Sequence, residues 1–179
     1  MTTEFLATAL LAALEARGMT LATAESCTGG GVGAALTAIP GSSRVYLGGV
    51  ISYTNAVKMA LLGVPAETLE THTAVSVETA RAMAQGACQA VGASMALSVT
   101  GLAGPSGDGT GRPVGLVYIG CATAEGLLVR ELKLNGDRAA IRAQAVDEAL
   151  ALGLKALESY GPPAPAESSC LLHYEIGIL

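Results

Sequence analysis

The chain has 179 residues with a mean hydropathy of +0.50; 51% of them are hydrophobic, 3% aromatic and 14% charged. A chain of this length buries about 70% of its unfolded surface as one globule, so one core suffices without disulfide staples, and disordered, collagen-like and coiled-coil architectures are excluded. The net charge of −5, the single Phe and the lack of Trp argue against a nucleic-acid or anionic-membrane surface.

Phe5, Leu6, Ala9, Leu10, Ala13 and Leu14 recur at helical spacing, and Gly18 sits where a helix-ending glycine belongs. Met19–Ala24 reads as a short buried strand. Cys27–Ile39 is small and apolar and reads as a tightly packed helix, ended by Pro40-Gly41. Val45–Thr54 reads as a second strand, followed by short helices at Asn55–Leu62 and Pro65–Glu70. Ser76 is a good N-cap for a helix reaching Val91, with Glu78 well placed in its first turn. Ser94–Thr100 is the next strand and runs into a loop dense in Gly, Pro and Ser. Val114–Ala122 and Leu127–Leu134 read as a hairpin turning at Ala124-Glu125-Gly126. Asp137 caps a last long helix to about Ser159. Helices alternating with strands and closing on a hairpin predict an α/β domain with a mixed sheet. Gly161-Pro162-Pro163-Ala164-Pro165 is a stiff break, and the tail to Leu179 differs in composition from the rest.

Cys27, Cys88, Cys121 and Cys170 are scattered and form no C-x-x-C pair, so neither a disulfide framework nor a Cys-rich zinc site is supported. His72 and His173 are isolated, and no metal is expected. Glu4, Glu15 and Arg17 interrupt the N-terminus, so it does not read as a signal peptide. Ala82–Gly107, the longest uncharged stretch, holds Gln85, Gln89 and Pro105 and reads as helix, turn and strand rather than a membrane span. A cytoplasmic protein without nucleic-acid or membrane partners is expected.

Chemistry concentrates at Ala24-Glu25-Ser26-Cys27-Thr28-Gly29-Gly30-Gly31, where a strand meets a helix and unpaired amides attract phosphates, carboxylates or developing oxyanions. Ser26 lies near the expected N-cap; capping alone, with glycines serving close packing, explains the segment about equally well. Gly29-x-Gly31-x-x-Ala34 fits a dinucleotide fingerprint, yet the acid wanted about 20 residues on for the ribose is missing. Tyr53 and Lys58 are spaced one residue too far apart for the Tyr-x-x-x-Lys of short-chain dehydrogenases. Lys58 sits among apolar neighbours, where desolvation makes an amine a usable base, and serine needs such a base. Parallel neighbouring strands would bring Ser26 and Lys58 together; an ordinary snorkelling lysine is the blander reading. Ser98–Gly107 runs from strand into a glycine-rich loop able to hold a phosphate or ribose, or equally to serve as a plain long connection. Arg138 opens the last helix and Arg142 lies one turn on, both suited to an anion, although a solvated helix face is the commoner reading for either.

Ala24-Glu25-Ser26-Cys27-Thr28-Gly29-Gly30, Tyr53-x-Asn55-x-x-Lys58, His72-Thr73-Ala74-Val75-Ser76, Thr100-Gly101-x-Ala103-Gly104-Pro105, Pro113-Val114-Gly115 and Gly136-Asp137-Arg138 together closely resemble the CinA C-terminal-domain family, over about Leu6 to Leu157. The resemblance implies a three-layer α/β/α sandwich with a mixed, mostly parallel sheet of about five strands, spanning residues 1–160 and leaving 161–179 as a tail of open role. It implies deamidation of nicotinamide mononucleotide, with Ser26 as nucleophile, Lys58 as base and Tyr53 relaying or orienting the proton, without cofactor. Amides of Thr28, Gly29 and Gly30 are the expected oxyanion donors; Thr100, Gly101, Gly104 and Arg142 are the expected substrate contacts. Many relatives carry glycine at position 73. A homodimer is expected, as is common in the family and in keeping with the low charge. The family domain often follows a larger one; this chain is expected to resemble the standalone deamidases. The alternatives are a non-catalytic nucleotide-binding regulatory module and an amidase for a related heterocyclic carboxamide.

Overall fold

Four of the helices start at side-chain caps that the sequence carries. In the computed structural model, which describes residues 1–159, helix α1 (Thr3–Glu15) starts where the Thr2 hydroxyl accepts the Phe5 amide, 3.2 Å. Its stripe of Leu6, Leu10 and Leu14 is buried. Helix α3 (Asn55–Leu62) is capped by Thr54 and stopped at Gly63, whose φ of 61° is left-handed. Helix α5 (Val77–Val91) starts at Ser76, whose hydroxyl accepts the Thr79 amide at 3.1 Å, and ends at Gly92, φ 73°. Helix α6 (Arg138–Ser159) begins with the Ala140 amide on the Asp137 carboxylate, 2.8 Å.

The strands β1 (Leu21–Glu25), β2 (Tyr46–Ile51), β3 (Met95–Gly101), β4 (Leu116–Thr123) and β5 (Leu127–Lys133) form one sheet in the order β2-β1-β3-β4-β5. β2, β1 and β3 pair in parallel; β4 is antiparallel to both β3 and β5, so β4 alone runs against the others. The mixed, mostly parallel sheet expected from the resemblance is therefore present.

Side chains alternate across the sheet and differ in size by face. Leu21, Met95, Leu97, Val99, Val117 and Ile119 face a thick aliphatic layer shared with α1, α2 (Gly31–Thr37) and α6. Ala22, Ala24, Ala96, Ser98 and Thr100 are on the other face, which α3, α4 (Ala66–His72) and α5 cover. These small residues let α5 approach closely. The Ser98 and Thr100 hydroxyls donate to the Ala80 and Ala74 carbonyls, each at 2.6 Å. The result is the three-layer arrangement.

Two boundaries that bear on the site differ from the sequence reading. β2 ends at Ile51, so Ser52–Thr54 is loop. The helix expected from Cys27 begins only at Gly31, because Gly29 (φ 61°) and Gly30 (φ 96°) adopt left-handed backbone that breaks it. The break and tail at 161–179 lie outside the described residues.

Candidate active site

The parallel strands β2, β1 and β3 point their carboxyl ends to one side, where ligands of open α/β sheets bind. Glu25, the last residue of β1, pairs with Ile51 on one side and Val99 on the other. The chain then turns at Ser26, whose amide still donates to the Val99 carbonyl at 2.9 Å. Beside it the end of β2 leads through Ser52 and Tyr53 into α3, which returns Lys58 toward β1. Lys58 Nζ lies 3.1 Å from Ser26 Oγ and donates to the Ser52 carbonyl at 2.6 Å.

Lys58 is 1% exposed, and Ser26 9%. Among the described residues no carboxylate faces the amine, so burial dominates and lowers it from the usual 10.5 to about 8. Near neutral pH a fraction of Lys58 is therefore uncharged. With one N–H on the Ser52 carbonyl, the lone pair of that amine can take the Ser26 hydroxyl proton. Cys27 also lines the cleft, but burial pushes its thiol up to about 11, so it stays protonated and a poor nucleophile. Of these two neighbours, Ser26 is the one with a base.

Both residues open onto a cleft of about 290 Å³. Ala74 and Val75 form one wall; Thr100, Gly101 and Gly104 form another. The Thr100 hydroxyl is spent on the Ala74 carbonyl and so supports the wall. Tyr53 is 59% exposed at the rim; its hydroxyl accepts from Arg138 Nη2 at 3.1 Å and makes no hydrogen bond to Ser26 or Lys58. Arg138 also donates to the Gly104 carbonyl, 2.7 Å, and lines the cleft.

Three expectations for this region need correction. Arg142, expected at the substrate, lies behind the Ser26 turn and donates through Nε to the Cys27 carbonyl, 3.1 Å, and through Nη2 to the Thr28 carbonyl, 2.7 Å. Arg138, one helical turn earlier, is the arginine that reaches the cleft. The amides expected for an oxyanion divide as well. Gly29 donates to the Ser26 carbonyl at 3.1 Å and Gly30 to Glu25 Oε2 at 3.0 Å, so neither is available. The amides of Cys27 and Thr28 donate to no other residue among the described residues, and Cys27 lines the cleft. Finally, Ser26 does not cap α2. The buried Glu25 carboxylate occupies that end, accepting from Gly30 and Val32 (3.0 Å each) and Gly33 (2.8 Å). The sequence signal for Arg138 was its place in Gly136-Asp137-Arg138; for Cys27 it was adjacency to the serine.

The chain matches the family model of the CinA C-terminal domain over residues 3–157. It is 54% identical over 125 residues to a CinA-like protein of Parasynechococcus marenigrum, a stretch covering 70% of this chain and 30% of the relative. It is 51% identical over 133 residues to a putative competence-damage inducible protein of Desulforamulus reducens, covering 74% and 32%. The chain thus spans about a third of the length of these curated relatives. Among solved structures, the competence damage-inducible protein A of Klebsiella pneumoniae superposes with a TM-score of 0.84 at 38% identity, covering 87% of this chain and 98% of that one. The competence/damage inducible protein CihA of Agrobacterium tumefaciens gives 0.82 at 41% identity, covering 86% and 94%. With a family model spanning nearly all the described residues and the same fold in these solved relatives, the chain belongs to the CinA C-terminal domain family.

Proposed function

We propose that this chain is an amidohydrolase that converts nicotinamide mononucleotide to nicotinate mononucleotide and ammonia. The observation that carries the reading is the 3.1 Å approach of a buried, easily neutralised amine to a serine hydroxyl at the floor of a cleft. Uncharged Lys58 accepts the Ser26 proton as Oγ attacks the carboxamide carbon, and the carbonyl π electrons move to oxygen. The Cys27 amide, unpartnered in the cleft wall, stabilises that oxyanion. As the tetrahedral adduct collapses, the Lys58 ammonium returns its proton to the leaving nitrogen, and ammonia departs. Water then attacks the acyl ester with Lys58 again taking the proton, and the carboxylate product leaves as Ser26 regains its hydrogen.

Arg138 is suited to the nucleotide phosphate: it lies at the rim on the Gly104 carbonyl and keeps donors beyond its two bonds. Tyr53, held by Arg138 at the same rim, shapes the entrance; bonded to Arg138 and to neither Ser26 nor Lys58, it orients the substrate rather than relaying a proton.

An ammonia-release assay with nicotinamide mononucleotide tests the reading. Wild type is expected to release ammonia, and Ser26→Ala and Lys58→Ala to lose turnover while still binding the nucleotide. Nucleotide binding without ammonia from wild type would instead identify a binding module.

A further inference from the structure

The turn that carries Ser26 is braced by two side chains, an acid and a guanidinium, that do not line the cleft. From the strand side, the Glu25 carboxylate takes the amides of Gly30, Val32 and Gly33. From α6, the Arg142 guanidinium takes the carbonyls of Cys27 and Thr28. The turn closes on itself through Gly29 to the Ser26 carbonyl and Gly31 to the Thr28 carbonyl, 3.1 and 3.2 Å. A Cβ on Gly31 would meet Val146 Cγ2 at 3.0 Å, so α6 packs tightly against the turn there.

The consequence follows from peptide planarity. Carbonyl and amide of one peptide unit point in opposite directions, so anchoring the oxygen aims the hydrogen. The Cys27 amide shares its unit with the Ser26 carbonyl, held by Gly29; the Thr28 amide shares its unit with the Cys27 carbonyl, held by Arg142. The two unpartnered amides of the turn are thus both aimed from behind, and a cation on the oxygen polarises the N–H at the other end of the unit.

We propose that Arg142 and Glu25 are positioning residues that hold the Cys27 and Thr28 amides ready to stabilise a developing oxyanion on the Ser26 adduct. The inference rests on the reading of Ser26 as nucleophile, though not on which carboxamide it attacks. A bidentate guanidinium fits the task because one ammonium cannot reach both carbonyls in their separate directions.

The test uses an alkyl fluorophosphonate, which needs no substrate recognition. Ser26 Oγ attacks phosphorus, Lys58 takes the hydroxyl proton, fluoride leaves, and the P–O oxygen falls where the oxyanion would form. Arg142→Ala is expected to label about 10- to 100-fold more slowly than wild type. Millimolar guanidinium ion should restore part of the rate, which it would not do for a merely loosened fold. Arg142→Lys, which keeps charge and most of the packing, should label at an intermediate rate, and Glu25→Gln should slow without responding to guanidinium. Labelling of Arg142→Ala and Arg142→Lys at the wild-type rate, or a loss in Arg142→Ala that guanidinium leaves untouched, overturns the proposal. A wild type unlabelled at Ser26 overturns both this and the proposed function; one that labels but releases no ammonia from the nucleotide refutes that substrate alone.

Discussion

Lys58 Nζ approaches Ser26 Oγ to 3.1 Å from a position with 1% exposure, and its only other partner among the described residues is a neutral carbonyl, that of Ser52. The pair is kept in a state where the amine pays for its charge in lost hydration and gains no carboxylate in return. Under the proposed function, activity and stability respond to the same ionisation.

Turnover should rise with pH. Only the uncharged amine can take the hydroxyl proton, and Lys58 is lowered to about 8, so at pH 7 about a tenth is in the working form. The kcat/KM profile for ammonia release is expected to climb tenfold per unit below about pH 8 and flatten above it. A profile flat from pH 6 to 9 would mean that Lys58 is not the base.

Removing the amine should stabilise the fold. Folding lowers Lys58 from 10.5 to about 8, so between those values the unfolded chain holds the extra proton and stability rises with pH. Below about 8 the penalty is complete, on the order of 3 kcal/mol. Lys58→Met gives up that penalty and two hydrogen bonds of about 1 kcal/mol each. A net gain of about 1 kcal/mol at pH 7, shrinking to a loss above pH 10, is expected in denaturant titrations, together with inactivity.

Arg138 and Arg142 separate by the kind of defect they produce. Arg138→Gln removes the cation at the rim, so KM for the phosphorylated nucleotide should rise about 10- to 100-fold with kcat little changed, while KM for the corresponding nucleoside should barely move. Equal effects on both substrates would take the phosphate away from Arg138.

Thr73 is the one non-glycine residue with positive φ among the described residues, at 68°. Its hydroxyl oxygen accepts from Arg112, which also donates to the Val75 carbonyl at 2.5 Å and so ties the glycine-rich loop to the wall containing Ala74 and Val75. Thr73→Ala loses that acceptor and keeps the strain; Thr73→Gly loses it and relieves the strain. The glycine variant should be the more stable of the two by about 1 kcal/mol, the reverse of the usual order. Thermal melts of the pair check this.

The parts of the site that were legible in the sequence are those governed by residue type. A serine at a strand end and a lysine among apolar neighbours announce themselves, and parallel pairing of β1 and β2 was enough to bring them together. The orientation of α6 was not legible. Arg138 and Arg142 lie four positions apart and so share a helix face; which one reaches the cleft depends on where the Ser26 turn packs along that face. The start of α2 was missed for a related reason. Small apolar residues from Cys27 onward match a helix, but Gly29 and Gly30 adopt left-handed backbone, and Glu25 supplies the acceptor that lets the helix begin late.

Gly86 links packing on the far side of the sheet to the chemistry. A Cβ there would stand 1.9 Å from the Leu62 carbonyl oxygen, a backbone atom that moves only if α3 moves. Leu62 lies one helical turn beyond Lys58 on that helix, so Gly86→Ala must push α3 outward or strain α5. Destabilisation of about 2–4 kcal/mol is expected. A displaced α3 also draws Lys58 away from Ser26 and admits water to it, so under the proposed function the surviving folded protein should turn over more slowly, with the rising limb of its profile moved upward in pH. A variant that is destabilised yet keeps both the wild-type kcat and the wild-type pH midpoint would show that α5 absorbs the strain and that the position of Lys58 is set from the β1 side.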